Sequence, residues 1–256
     1  MKRLLTLVRM DARQVVRNRQ ALGWTVLYPL ALLLFMGYVG RNGTAQATFG
    51  SAATVTYTGF LMVGMIVLAA LTEGIMGHSQ GMVTLRAQGI LRRVRCTPLP
   101  TWLLLVSRTV VEAGVILAST LLLVAVGVAF YGVRLATATL PAALGLLLLS
   151  SALFVALGQA IAALVRTAET ARAAALGLAL PLMFLAGIFI QPDIFPPTLQ
   201  AIARWTPGAV AADLLRPALL QGNFGAQPWL TLLALVGYLV AALALSARFF
   251  RWDEAA

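Results

Sequence analysis

Lysine, cysteine and histidine each occur once in this chain of 256 residues, as Lys2, Cys96 and His78. A lone cysteine excludes an intrachain disulfide, and a structural zinc site needs about four Cys, His or carboxylate ligands. On the sequence, Cys96 reads as a small residue at the end of a basic stretch and His78 as a polar residue at a membrane edge. A P-loop ends in Lys followed by Ser or Thr after a glycine-rich turn. Lys2 is followed by Arg3 and has no room upstream for that turn. If ATP drives this protein, another polypeptide hydrolyses it. Acids are scarce too: eight in all, scattered, with only Asp253 and Glu254 adjacent at the tail. No nucleophile–base pair or carboxylate cluster stands out, so the chain reads as a scaffold without catalytic chemistry, with no metal site.

Charge of either sign is thin at 11% of residues, against 61% hydrophobic residues and a mean hydropathy of +0.91. A soluble domain carries about a quarter charged residues, and a core of this size cannot hide so much apolar surface. Lipid must solvate most of it. In lipid the backbone must bond internally, which leaves helices or closed barrels. The apolar runs are continuous rather than alternating, so helices are expected. The fold class is an all-α polytopic membrane protein.

In chain order, residues 1–20 place Leu4, Leu5, Val8, Ala12, Val15 and Val16 on one side of a helix. Arg9, Arg13 and Arg17 follow at i, i+4 on the other. This is an amphipathic helix for the membrane interface. Residues 21–256 form one transmembrane domain. Its six spans are predicted at about 21–40, 54–72, 108–131, 139–165, 173–191 and 228–247, each near the ~20 residues that cross a bilayer. At these boundaries no span carries a charge near its middle. Arg108 and Glu112 form an i, i+4 pair at the start of the third. Residues 41–51 read as a short polar loop. Residues 191–227 are rich in proline yet apolar, and read as short extracellular re-entrant helices packed on the protein.

The longest strongly basic interruption is 85–100, LRAQGILRRVRCTPLP, with Arg86, Arg92, Arg93 and Arg95 closed off by Thr97-Pro98-Leu99-Pro100. Six spans put both termini on one side. Fifteen of the nineteen Lys and Arg residues then fall on that side and four (Arg41, Arg134, Arg204, Arg216) on the other. The positive-inside rule makes the first side cytoplasmic. The net charge of +11 is thereby a topology and anionic-lipid signature, and no nucleic-acid partner is invoked.

Three stretches carry a family resemblance: 86–100, with Gly89-Ile90-Leu91-Arg92-Arg93 and Thr97-Pro98-Leu99; 181–222, with Pro181-Leu182-Met183-Phe184-Leu185-Ala186-Gly187-Ile188-Phe189, Phe195-Pro196-Pro197 and Asp213-Leu214-Leu215-Arg216; and the tail Arg248-Phe249-Phe250-Arg251-Trp252. In their order and spacing they resemble the membrane subunit of ABC-2 type transporters, the permease partner of a separate ABC ATPase. Where the family often has an acid before the glycine of the basic segment, this chain has Ala87-Gln88. The resemblance implies an exporter subunit of the multidrug and antibiotic-resistance kind in a bacterial or archaeal cytoplasmic membrane, with ATP and Mg bound by the partner ATPase and no cofactor in this chain. It implies a second permease copy, as homo- or heterodimer. It also implies a cytosolic coupling helix at 81–97 that docks in a groove of the ATPase, through Arg86, Gly89, Leu91, Arg92, Arg93, Val94 and Arg95. The substrate path would lie at the dimer interface along the second and fifth spans, with Phe60, Met62, Met65, Met183, Phe184 and Phe189 as candidate lining residues for a hydrophobic or amphipathic cargo. Gly59, Gly64, Gly177 and Gly187 are candidates for close helix approach. The rival readings are a secondary transporter or channel, for which a buried ionisable residue would speak, and a non-transporting membrane anchor.

Overall fold

The apolar runs become long helices. The computed structural model describes residues 7–13, 19–40, 46–49, 53–89, 101–189 and 194–249. Residues 7–13 are helical (α1). Then come α2 (Arg19–Gly40), the strands β1 (Gln46–Phe49) and β2 (Ala53–Thr56), and α3 (Tyr57–Leu71), which runs through a π-helical segment (Thr72–Gly77) into α4 (His78–Ala87). After these follow α5 (Thr101–Tyr131), a 3-10 turn, α6 (Leu140–Leu164), α7 (Ala168–Leu185), the short α8 (Pro197–Ala203) and α9 (Pro207–Leu220), and α10 (Pro228–Phe249).

Among the described residues five helices are long and apolar enough to cross a membrane: Tyr57–Ala87, Val106–Tyr131, Thr137–Leu164, Ala168–Leu185 and Pro228–Phe249. The expected first span is helical throughout as α2, but its described apolar stretch, Thr25–Gly40, is shorter than these five. The expected polar loop 41–51 is corrected in part: β1 and β2 pair antiparallel, with Gln46 opposite Thr56 and Phe49 opposite Ala53. Among the described residues the chain is thus helical, consistent with the all-α class, with one short hairpin.

The helix that holds the expected second span, 54–72, runs beyond residue 72 as one 31-residue rod to Ala87. The break comes at Gln88–Gly89, where the amides of both residues close back onto Thr84 and Arg86. Gly89 has φ +67, a left-handed conformation that glycine adopts without penalty and that ends helices at this position. Residues 81–87, expected in a separate coupling helix, are thus the last turns of this rod; residues 90–97 lie outside the described residues.

That rod is the centre of the bundle. Its most apolar stretch is 83% buried, against 17% for α10. Around it stand α2, α5, α6, α7 and α9, while α10 packs against α6 and α9 on the outside. Lipid tails are as apolar as leucine, so close backbone packing rather than water exclusion holds such helices together. The tightest crossing is between the π segment and α6: a Cβ on Gly158 would lie 2.2 Å from the Gly74 carbonyl oxygen, and one on Gly74 2.6 Å from the Phe154 Cβ. Gly64 approaches the Ile188 backbone similarly, whereas Gly177 faces open space.

The helix ends are capped locally. Thr56 accepts from the Gly59 amide at the start of α3, Thr167 and Thr170 form a capping box on α7, and Thr206 caps α9. The apolar stretch 191–227 supplies α8 and α9, and α9 is buried along most of its length against α3, α6, α7 and α10.

Gly158→Ala is expected to force the rod and α6 apart and to cost about 1–3 kcal/mol. Gly145→Ala on the same helix, where no atom lies within 4 Å of the added Cβ, should stay within about 0.5 kcal/mol of wild type. Thermal unfolding of the two variants side by side in nanodiscs checks this.

Candidate functional site

A π-helical turn carries one residue more than an α-turn, and such turns recur at functional sites. Here it re-aims the side chains on either side of it. Thr72 folds its hydroxyl back onto the Leu68 and Ala69 carbonyls at 2.8 and 3.2 Å. Glu73 reaches α2, where its carboxylate accepts from the Thr25 hydroxyl at 2.7 Å. His78, one turn further, reaches two other helices. Its Nδ1 lies 2.6 Å from Oε2 of Glu112 on α5, and its Nε2 lies 2.5 Å from Oε1 of Gln159 on α6. All three are sealed from outside, with His78 1%, Glu112 5% and Gln159 6% exposed.

Two further groups complete this centre. Arg108, one turn before Glu112 on α5, directs Nη1 at the Met82 sulfur at 3.6 Å. Its guanidinium fills the space beside Gly81, where a Cβ would lie 2.8 Å from Nη2. At the start of α5, Ser107 donates to Asp11 of α1 at 2.6 Å, which ties the N-terminal helix to the bundle. Arg9 and Arg13 of α1 stay exposed on its other side.

The sequence reading missed this centre. It read His78 as a polar residue at a membrane edge and expected no buried ionisable group; His78 and Glu112 are buried within the protein. Glu73, His78 and Glu112 lie inside helices of the expected spans, because each finds a polar partner on another helix and needs no water. A burial cost of several kcal/mol for an isolated charge falls once the charge is paired and hydrogen-bonded. A signal was present: Gly74, Gly77 and Gly81 interleave with Glu73 and His78, a pattern of small residues that lets polar side chains pass between helices. The Arg108–Glu112 spacing was seen, but Glu112 turns to His78 and Arg108 to Met82.

A second polar anchor sits on α9. Arg216, 3% exposed, donates to the Gly187 carbonyl just past α7, lies 4.2 Å over the Phe60 ring of α3, and stands 3.9 Å from Asp213. Burial pushes its pKa down to about 10, partly offset by Asp213, so it remains a cation at neutral pH. The Asp213–Arg216 motif therefore clamps the short helix onto two long ones.

The residues expected to grip a partner divide. Arg86 is buried and donates to the Ala162 carbonyl in the last turn of α6. The last four carbonyls of a helix lack intrahelical partners and carry its negative dipole end, which explains why a guanidinium settles there. Arg86 is a staple between α4 and α6. Gly89 forms the helix stop. Leu91, Arg92, Arg93, Val94 and Arg95 lie outside the described residues, as does Cys96.

The candidate path residues divide as well. Phe60, Met62 and Met65 have no exposed surface within this subunit and pack in its core. Met183 is buried too. Phe184 is 54% exposed, and its ring stands 6.0 Å from that of Phe189, which is partly buried against the core.

The features assembled so far define a polytopic helical membrane protein whose buried ionisable groups are hydrogen-bonded between helices, with no group of three or more His, Cys, Asp or Glu side chains placed to hold a metal among the described residues. The family profile described as ABC-2 type transporter matches residues 2–220. The chain belongs to that family: it is a multi-pass membrane permease component of an ABC transporter, a transport component rather than a catalytic domain, and the family associates with an ABC ATPase. No curated protein matches the chain.

Arg216→Met is expected to lower stability by about 1.5–3 kcal/mol, the worth of a hydrogen bond to a charged group. Arg216→Lys should recover less than half of that, since an ammonium cannot both stack on Phe60 and span to Gly187. Thermal unfolding of both variants in nanodiscs is the measurement.

Proposed function

We propose that the chain is the permease subunit of an ATP-driven exporter that moves a hydrophobic or amphipathic molecule, such as a drug or lipid-like compound, out of the cytoplasm. The observation that carries this reading is the single rod Tyr57–Ala87, which leads from the core directly to the basic segment after Gly89. A rigid helix transmits displacement of its end along its length. An ATPase that grips the segment 81–97 through Leu91, Arg92, Arg93, Val94 and Arg95 would therefore move the centre of the bundle.

In this reading α2 is the first of six spans, both termini are cytoplasmic, and α8 and α9 are re-entrant helices on the opposite side, in a bacterial or archaeal cytoplasmic membrane. Two copies of the permease, as homo- or heterodimer, face each other above two ATPases. Phe184 is the accessible candidate for the path, with Phe189 beside it; both lie at the end of the fifth span. The uncharged character of that surface supports an apolar cargo and efflux.

The test is the ATPase activity of the complex co-purified into lipid nanodiscs, wild type against a Leu91→Asp/Val94→Asp double variant. The double variant is expected to lose the ATPase subunit or at least tenfold of its cargo-stimulated turnover, since apolar positions on a docking helix carry the contact. Unchanged assembly and turnover would remove the segment from the coupling role. If wild type retains no ATPase, the reading yields to a membrane anchor or a secondary transporter.

A further inference from the structure

We propose that the outward face of α1 is a binding surface for anionic phospholipid headgroups, and that the bond between Asp11 and Ser107 passes the lipid's hold on that face to the bundle. The geometry starts from this tie. Ser107, near the start of α5, donates its hydroxyl to the Asp11 carboxylate at 2.6 Å. Asp11 is half-buried and Ser107 has no exposed surface. Successive residues of an α-helix are set about 100° apart. Arg9 and Arg13, two residues to either side of Asp11, therefore point away from the bundle, and both are exposed. At i, i+4 they stand one above the other, about 6 Å apart along the helix. The one carboxylate of this helix is turned to Ser107, so two positive charges share the outer face. Between them Met10 is 62% exposed.

The level of this face selects the partner. The helix α5 ends at Tyr131, an aromatic of the kind that marks a membrane boundary. Ser107 stands about 36 Å along the helix from it, at 1.5 Å per residue. The hydrocarbon of a bilayer is about 30 Å thick and the headgroups extend it to about 40–45 Å. A helix tied to Ser107 thus lies at the height of the headgroups. The rod reaches further: Arg108 touches Met82, and from Met82 the rod runs on about 8 Å to Ala87. A soluble partner gripping the segment after Gly89 works beyond that end, while α1 stands at the lipid. Each cation near an anionic membrane adds about fivefold to the binding constant. The planar fork of an arginine can also give two parallel hydrogen bonds to one phosphate.

The tie gives this contact a consequence for the bundle. Next to Ser107 stands Arg108, whose guanidinium lies against Met82 and fills the space beside Gly81 in the last turns of the rod. Headgroups that hold Arg9 and Arg13 fix α1, and through Asp11 and Ser107 they fix the start of α5 beside the rod. A ligand that engages only the assembled form stabilises it by mass action. Exposed charges are screened over about 10 Å at 0.1 M salt, so added salt weakens the effect.

The test uses the full chain in lipid nanodiscs without an ATPase. Cys96 is the single cysteine, so Cys96→Ser with Met10→Cys places one nitroxide between the two arginines. In discs of phosphatidylcholine with phosphatidylglycerol, the label is expected to be several-fold better shielded from a neutral water-soluble nickel chelate than in phosphatidylcholine alone. Arg9→Gln/Arg13→Gln should remove this difference. Arg166→Gln/Arg172→Gln, at two exposed arginines of the α6–α7 junction, should leave it intact. Equal shielding in both discs, the mark of apolar insertion without charge recognition, overturns the proposal. So does a label equally open to water in both, which leaves the face to a protein partner. The tie is read from thermal unfolding. Phosphatidylglycerol should raise the midpoint by several degrees more in wild type than in Arg9→Gln/Arg13→Gln. Ser107→Ala should keep the shielding of the label and lose that extra rise; a full rise in Ser107→Ala overturns the role of the tie. None of these readouts depends on the cargo or on the ATPase.

Discussion

The close crossing of the π segment and α6 at Gly74 and Gly158 is the contact on which the remainder of the bundle depends. Two backbones meet there with no room for a side chain on either glycine. That approach brings Gln159, the next residue of α6, within hydrogen-bonding distance of His78 on the rod. The extra residue of the π turn separates the directions of Glu73 and His78, so that one serves α2 and the other α5 and α6. A regular α-helix with a bulky residue at either glycine would hold the helices too far apart for these bonds. In a membrane, where apolar contact alone does not favour one helix neighbour over another, such bonds select which helices stand together.

The same logic recurs at the two ends of the bundle. Near one end Arg86 closes the last turn of α6 and Ser107 holds Asp11 of the N-terminal helix. Near the other, Arg216 joins α9 to Gly187 and Phe60, while Thr139 and Ala136 bond the Ala218 and Leu219 carbonyls of α9. Polar side chains in this protein thus serve mainly as joints. Each joins helices that the chain order alone would not make neighbours, and each is paid back by the desolvated setting in which a made bond is hard to exchange with water.

A permease must change shape while its helices stay intact in lipid. The rod Tyr57–Ala87 suits this requirement, since its most apolar stretch is 83% buried within the subunit. Near the π segment it adds polar, directional bonds to α2, α5 and α6 beside the close backbone packing, unlike the purely apolar stretch Phe60 through Leu71. Directional bonds between otherwise rigid helices are where two discrete arrangements can exist, because such bonds are either made or broken.

Much of the architecture was legible in the sequence because it follows from local composition. Long uncharged runs in lipid must be helices, and the helices Leu140–Leu164 and Pro228–Phe249 stand where the fourth and sixth spans are expected, at 139–165 and 228–247. The order of the motifs around Arg86–Pro100 and Pro181–Gly222 sufficed to indicate the ABC-2 family. The length of the second helix was not legible, since Glu73, His78 and Arg86 look locally like the start of an aqueous loop. Nor was the inward turn of Phe60, Met62 and Met65, which share their apolar character with lipid-facing residues. What the sequence alone determined is which segments are apolar enough to cross a membrane and where along the chain positive charge gathers, because both depend on residues close together in the chain. Only the tertiary structure decided that Glu73 and His78 stay inside a helix. Their partners stand 48, 34 and 81 residues away, and no local pattern records a bond made across that distance.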